Sequence, residues 1–298
     1  MRGAGQGAGY DRSALADQGG DARVSVALRQ ARRSGLEVLR AARADGYAIA
    51  AFNAVNLDTA QAVVQAAEAQ RAPVILQFSQ NAARHGGLAP LAALGLSLKA
   101  DAGVPVILHF DHAETPEIAV QALRSGFEGV MLEGDDPALL RPLAALAHAG
   151  GGYLEAEYEV VEKGERRGER HCPARLGHFA QESHCDLLAV DLGSAHKHEQ
   201  KDAQLDFARL DALAQATPLP LVLHGASSVP EAQLAQAARQ GIAKVNLATD
   251  LTLAFTGAVR TALGGGDTDP RAYLGAGRRA MQARAEAYIA LLGGAGRA

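Results

Sequence analysis

The chain has 298 residues, 48% of them hydrophobic, enough apolar material for one large domain or two small ones. Its formal net charge is −4 and its basic residues are scattered, which gives no nucleic-acid-binding face. No apolar run approaches the ~18 residues of a membrane span, and two cysteines, Cys172 and Cys185, are too few for a disulfide framework and are not spaced as a metal knuckle, so a reducing cytoplasm is the expected location.

Residues 1–22 are rich in Gly, Ala and Asp and lack an apolar centre, so they are expected to be a disordered tail rather than a secretion signal. One domain is expected over 23–292, with 293–298 a frayed tail that begins Gly293-Gly294-Ala295-Gly296. A helix is expected near 25–45. Tyr47 to Asn53 reads as strand one, Leu57 to Arg71 as a helix with apolar residues at 60, 63, 64 and 67, and Pro73 to Ser79 as strand two. A helix over 89–102 leads to strand three, Pro105 to His112, after which Thr115-Pro116 reads as an N-cap followed by proline at the first helical position. Gly129 to Glu133 is strand four, Asp136-Pro137 caps the next helix, and Tyr153 to Glu157 is strand five.

The pattern then breaks. Residues 158–184 hold many charges and little apolar periodicity, and a long charged loop inside a compact domain is often a lid. Leu187 to Asp191 is strand six, Pro220 to Gly225 strand seven, and Ile242 to Leu247 strand eight, while Ser228-Val229-Pro230-Glu231 fits a capping box. Eight short apolar strands alternating with helices predict an α/β fold, a (β/α)8 TIM barrel. An open doubly wound sheet is the alternative, but no glycine fingerprint follows strand one.

In such a barrel the functional residues collect at the carboxyl ends of the strands. Those ends are Asn53, Ser79, Asp111 with His112, Glu133, Glu157, His196, His224 and Asn246. A histidine seen singly is more often structural, yet three of them share this placement, and three converging imidazoles make a zinc site with an open fourth position. Asp111 could orient a ligand, be one, act as a general base, or merely cap a helix. Glu155 and Glu157 share a strand face, with Glu157 at the tip and Glu155 lower, where it would pair with a buried cation. His109 is read as structural, packed under the site. Gly193-Ser194, Gly225-Ala226-Ser227-Ser228 and the segment from Asn246 to Asp250 lie between strands and helices, where free backbone N–H groups suit an anion; such turns are often only turns.

Assembled in order, Ala51-Phe52-Asn53, His109-Phe110-Asp111-His112, Glu155-Ala156-Glu157, Gly193-Ser194-Ala195-His196, Leu223-His224-Gly225-Ala226-Ser227, the segment from Lys244 to Asp250, and Asp269-Pro270-Arg271 give the chain its identity of pattern. From Gly46 to Met281 it resembles the class II, zinc-dependent fructose- and tagatose-bisphosphate aldolase family. The resemblance implies that His112, His196 and His224 hold zinc and that Asp111 is the acid/base at the substrate C4 hydroxyl. It also implies that Gly225, Ser227, Asn246 and Thr249 hold the dihydroxyacetone-phosphate half, with Asn53, Ser79 and Gly193 among the substrate-binding groups. Glu133 and Glu157 fall near a second cation position, and Arg271 would reach the far phosphate of a neighbouring subunit in a homodimer or homotetramer. The implied reaction is retro-aldol cleavage of a phosphorylated sugar: zinc polarises the ketone, Asp111 takes the C4 hydroxyl proton, and a lid acid, Glu165, protonates the three-carbon product.

Three positions depart from the family. Lys197 stands where a glycine usually follows the strand-six histidine and approaches phosphate and a monovalent cation; an ammonium there replaces that cation, touches phosphate, or reshapes the loop. The 158–170 loop lacks the usual glycines, and Gly275 stands where an arginine is frequent. Three alternatives follow: a divergent paralogue acting on another ketose phosphate, a non-catalytic sugar-phosphate binder, and a Schiff-base enzyme using Lys244.

Overall fold

The computed structural model describes residues 33–159, 169–196, 200–266 and 268–298, together with the backbone of 162–163; His196 is described by its backbone alone. Ser34 starts the first helix, α1 (Gly35–Asp45): its Oγ accepts the Glu37 N–H while the Glu37 carboxylate accepts the Ser34 N–H, and Gly46 ends the helix at φ 69°. The part of the expected helix before residue 33 lies outside the described residues.

The alternation of apolar residues then produces β1 (Ile49–Asn53), β2 (Val74–Ser79), β3 (Val106–Ala113), β4 (Gly129–Glu133) and β5 (Tyr153–Glu157). These are followed by a two-residue β6 (Glu162–Lys163), β7 (Leu187–Ala189), a two-residue β8 (Ala195–His196), β9 (Leu221–Leu223) and β10 (Ile242–Leu247). Among the described residues eight parallel strands close a barrel in the order β1-β10-β9-β7-β5-β4-β3-β2, the (β/α)8 TIM barrel that the strand count predicts, while β6 and β8 form a separate parallel ribbon.

Helices cover the outside: α2 (Leu57–Gln70), α3 (Gln80–Gly86), α4 (Leu88–Asp101), α5 (Pro116–Arg124), α6 (Pro137–Ala149), α7 (Pro173–Ser183), α8 (Phe207–Ala216), α9 (Glu231–Arg239), α10 (Thr249–Gly264) and α11 (Pro270–Leu291). Thr115 and Asp136 cap α5 and α6 ahead of prolines, as expected. α3 is an addition, nucleated by Ser79 Oγ accepting the Ala82 N–H. The expected capping box at Ser228 does not form. Gly225 turns into the left-handed region, residues Ala226–Ser228 make a 3-10 turn, and Ser228 Oγ donates back to the Gly225 carbonyl.

The core has two layers. Outward-facing Phe52, Leu76, Phe78, Leu108, Phe110, Leu132 and Leu223 pack under the helices. Inward-facing Ile49, Ile75, Ile107, Tyr153, Leu187 and Val222 meet Val38, Leu39 and Ala42 of α1, so α1 plugs the amino-terminal end of the barrel. Gly35 makes that plug fit, because a Cβ there would stand 2.8 Å from Ile107 Cγ2. The compact unit runs Ser34–Ala298, and the terminal stretch expected to fray carries backbone hydrogen bonds, from Gly296 to Gln70 and from Ala298 to Arg71. No helix among the described residues is long and apolar enough to cross a membrane.

Candidate active site

Period-two alternation along the strands sorts the interior into layers. Above the apolar plug come Gln77, His109, Glu155 and Lys244, each fully buried. Above these, at the carboxyl ends, stand Asn53, Ser79, Asp111, Glu157, His224 and Asn246. Most of the lower polar layer is paired. Lys244 Nζ lies 2.6 Å from Glu155 Oε2, and His109 stacks on Tyr153 with Nδ1 3.1 Å from its hydroxyl. Gly129 leaves room for that stack, since a Cβ would fall 2.2 Å from the Tyr153 ring and 2.5 Å from His109 Nδ1. Burial, followed by the Lys244 charge, pushes the His109 imidazolium pKa down to about 3, in keeping with the structural role expected of it.

β3 breaks its own alternation at the site. Ile107, His109 and Asp111 face inward, so His112 by parity would face the helices. Instead the β3–β4 register shifts between Phe110 and Ala113, and His112 takes φ 52°. A bulge of this kind re-aims a side chain, and a left-handed non-glycine residue is strained. It brings two successive residues, Asp111 and His112, into one group. The His112 and His224 ring centroids are 5.2 Å apart.

Asp111 is clamped by two amides: Asn53 Nδ2 donates to Oδ2 at 2.9 Å and Asn246 Nδ2 to Oδ1 at 3.3 Å. Asn53 is in turn oriented by Gln77, whose Nε2 donates to Asn53 Oδ1 at 2.8 Å. Burial alone would raise the Asp111 pKa, but the charges of His112, Lys244 and His224 prevail and hold it below the usual carboxylate range. Asn246 Oδ1 and Gln77 Oε1 are buried with no hydrogen-bond partner among the described residues, acceptors that a bound ligand or water would satisfy.

His224 lies between two carboxylates, Nε2 2.8 Å from Glu155 Oε1 and Nδ1 3.1 Å from Glu157 Oε2. Burial pushes its pKa down, but the Glu157 charge and both hydrogen bonds outweigh that and raise it to about 9. His112 Nδ1 lies 2.9 Å from Glu133 Oε1, leaving Nε2 3.9 Å from Asp111 Oδ1. Ligand atoms of His112, Glu133 and Glu157 all lie within 4.8 Å of one another. Donors around a tetrahedral zinc at ~2.1 Å stand ~3.4 Å apart, so this group closes on an ion with adjustments of about an ångström. The mixed imidazole and carboxylate set suits zinc, and the Glu155 carboxylate on His224 Nε2 is the kind of partner that fixes a ligating histidine's tautomer. The residues therefore fit a divalent cation.

The connecting loops complete the mouth. Gly225 sits at φ 66°, where a Cβ would meet the Ala195 backbone at 2.8 Å, so its lack of a side chain lets the segment bearing His196 lie against strand β9. Ser194 Oγ donates to the His224 carbonyl at 2.6 Å, and Ser228 Oγ accepts the Ala195 N–H, clipping the same two segments together. Ser227 is buried in the turn between β9 and α9. Thr249 opens α10, which has no side-chain cap. The Gly193 N–H, expected to be free for an anion, is directed at Asp191 Oδ1 at 2.8 Å, and Asp191 is held by Arg170. Arg271 is 90% exposed and pairs with Asp269 rather than with the mouth. Glu165, Lys197 and the His196 side chain lie outside the described residues. Sequence reading missed Gln77, although its place two residues before Ser79 on a buried strand marks it as inward-facing.

Comparison with known proteins gives a consistent result. A family model described as fructose-bisphosphate aldolase class-II matches residues 33–297. The chain is 36% identical, over a 303-residue alignment covering 89% of it and 99% of the relative, to a protein of Thermus caldophilus named fructose-bisphosphate aldolase. It is 32% identical over 281 residues, 87% of this chain and 96% of the relative, to a sulfofructosephosphate aldolase of Alkalicoccus urumqiensis. Among solved structures it is similar to the YdjI aldolase of Escherichia coli K12, with a TM-score of 0.79, 29% identity, and coverage of 89% of this chain and 99% of that one.

Proposed function

Given that the chain belongs to the class II fructose-bisphosphate aldolase family and is thereby an aldehyde-lyase, we propose that it cleaves and re-forms a ketose 1,6-bisphosphate, fructose or tagatose, giving dihydroxyacetone phosphate and glyceraldehyde 3-phosphate. The observation that carries this reading is the meeting of Asp111 with the His112 and His224 rings at one end of the barrel.

Zinc is the cofactor proposed. His112, His224 and His196 would hold it, and when bound it supplies Lewis-acid polarisation of the substrate ketone. Glu155 keeps His224 in one tautomer, and Glu133 does the same for His112. Glu133 and Glu157 would take a second divalent cation. Asp111 accepts the C4 hydroxyl proton as the C3–C4 bond breaks, the bonding pair passing toward the C2 carbonyl, and returns the proton in condensation. Its amide clamp fixes both carboxylate oxygens, which supports a single direction of proton transfer.

The dihydroxyacetone-phosphate end is assigned to Gly225, Ser227, Asn246 and Thr249, where the uncapped start of α10 offers N–H groups to an anion. Ser79 and Asn53 are assigned to substrate hydroxyls, Glu165 to the proton returned at C3, and Arg271 to the far phosphate of a second copy in a homo-oligomer. Lys197, in place of a glycine, favours a second reading in which a different ketose phosphate is the substrate and no monovalent cation is needed. A panel of zinc-loaded turnover assays on fructose 1,6-bisphosphate, tagatose 1,6-bisphosphate and a sulfofructose phosphate separates the two. The first reading requires kcat/KM to be highest for one of the bisphosphates, and a higher value for the sulfonated sugar selects the second.

A further inference from the structure

Beside the mouth lies a half-buried charged network that none of the assigned roles uses. Its centre is the Asp250 carboxylate, on the second residue of α10. Asp250 Oδ2 accepts from Lys201 Nζ at 2.7 Å, from Arg284 Nη2 at 2.8 Å, and from the Tyr288 hydroxyl. Arg284 Nη2 also reaches Glu231 at 2.9 Å and the Tyr288 hydroxyl at 3.0 Å, and Lys201 lies 3.7 Å from Glu231. Tyr288 is 1% exposed, and its ring carries Arg284 at 4.4 Å and Lys201 at 5.4 Å from the centroid.

Three of its members, Lys201, Glu231 and Asp250, belong to different connections. Lys201 stands five residues after His196, Glu231 four after Ser227, and Asp250 one after Thr249. Arg284 and Tyr288 are one turn apart on α11. The network thus joins the segments that follow β8, β9 and β10, which are the three that carry the proposed phosphate groups and the third histidine. A second observation points the same way. α10 begins at Ala248 with φ −131° and ψ −61° and no side-chain cap, and an uncapped helix start frays unless something else fixes it. Here three donors hold the first-turn carboxylate. They also cancel its charge. An aspartate one residue from an anion site would repel phosphate, but Lys201 and Arg284 balance Asp250 and Glu231.

Resting on the aldolase reading above, we infer that Lys201 and Asp250 are positioning residues for the phosphate end of the site, setting the start of α10 and the spacing of the loops after β8, β9 and β10. The substrate's phosphate is the group whose binding they tune; they touch no reacting atom.

The test compares Asp250→Asn, Lys201→Met, their double variant and Tyr288→Phe in the full chain, measuring kcat and KM for the ketose bisphosphate and, independently, inorganic phosphate binding by calorimetry. Each single variant is expected to raise KM and weaken phosphate binding about tenfold with kcat within about threefold, and the double variant to be no worse than the poorer single, as coupled groups require. Charge alone predicts the opposite sign for Asp250→Asn, which removes a negative charge and would then tighten phosphate binding. Tightening in that variant, unchanged KM and phosphate affinity in both singles, or additive losses in the double variant each overturn the inference. If Asp250→Asn does not fold, Tyr288→Phe carries the comparison, because it changes no charge and charge alone predicts no change in phosphate binding there, whereas the inference predicts weakening. Wild-type protein that binds phosphate but turns over no ketose phosphate removes the aldolase reading while phosphate binding still reads the network. Wild-type protein that binds no phosphate removes the inference.

Discussion

Lys244 directs its ammonium at Glu155, 2.6 Å away, and both side chains are fully buried in the barrel beneath the mouth. Two charges taken out of water at this depth persist only when each is paired, and Glu155 is paired twice, since its other oxygen meets His224. The same charges hold the Glu155 pKa below the usual carboxylate range against burial, which alone would raise it. Lys244 is therefore a counter-ion under the site, and the Schiff-base alternative loses its geometric support. Lys244→Met is expected to destabilise the protein by about 3–5 kcal/mol in denaturant unfolding, because it leaves a carboxylate buried without its cation. Adding Glu155→Leu is expected to restore most of that stability while weakening zinc binding, since His224 loses its orienting partner. A single variant as stable as wild type would remove the ion pair from the energetics of the fold.

Asp111 is expected to be separable from the metal site. Asp111→Ala should still fold and retain zinc, with some loss of stability because two buried amides lose their acceptor, and lose roughly 10²–10⁴-fold in kcat, the range for removing a positioned proton-transfer group. Turnover near the wild-type rate would sink the assignment. Gln77→Leu acts one step further out, by freeing the Asn53 amide that clamps Asp111, and a smaller loss in kcat with little change in KM is expected.

Glu133 holds His112 Nδ1 from an exposed position, so Glu133→Gln is expected to lower zinc affinity by about 10–100-fold without unfolding the barrel. Competition with a chromogenic chelator measures this directly. Unchanged affinity would show that the bulge alone orients His112.

His109 gives the acid limb of stability a defined sign. Its folded pKa is pushed down to about 3, whereas an unfolded histidine titrates near 6.5, so between these values the unfolded chain binds one more proton than the native one. The contribution is full above pH ~6.5 and is lost as pH falls toward ~3, at up to about 1.4 kcal/mol per pH unit. His109→Gln should show a correspondingly shallower fall in stability between pH 6.5 and 4 than wild type. Parallel curves would contradict the buried neutral imidazole.

Much of the barrel is legible in the sequence because its strands are buried on both faces and bounded by polar tips; β4, β5 and β10 fall where the apolar runs place them. The inward tips Asn53, Asp111, Glu157 and Asn246 follow from period two. What is not legible comes from tertiary contacts. His112 has the wrong parity for the site until the β3 bulge turns it, and nothing local requires a left-handed histidine. Ser228 has the right neighbours for a capping box, but the turn at Gly225 takes its hydroxyl first. The Lys201–Asp250 and Gln77–Asn53 contacts join different connections and strands, and no pattern along one segment announces them.

Turnover of fructose 1,6-bisphosphate by the purified chain, before and after chelation and then with added zinc, tests metal-dependent aldol cleavage most directly. Activity that chelator abolishes and zinc restores, with no covalent adduct on borohydride treatment, is the predicted result. Activity that survives chelation, with borohydride trapping the substrate on a lysine, would contradict it.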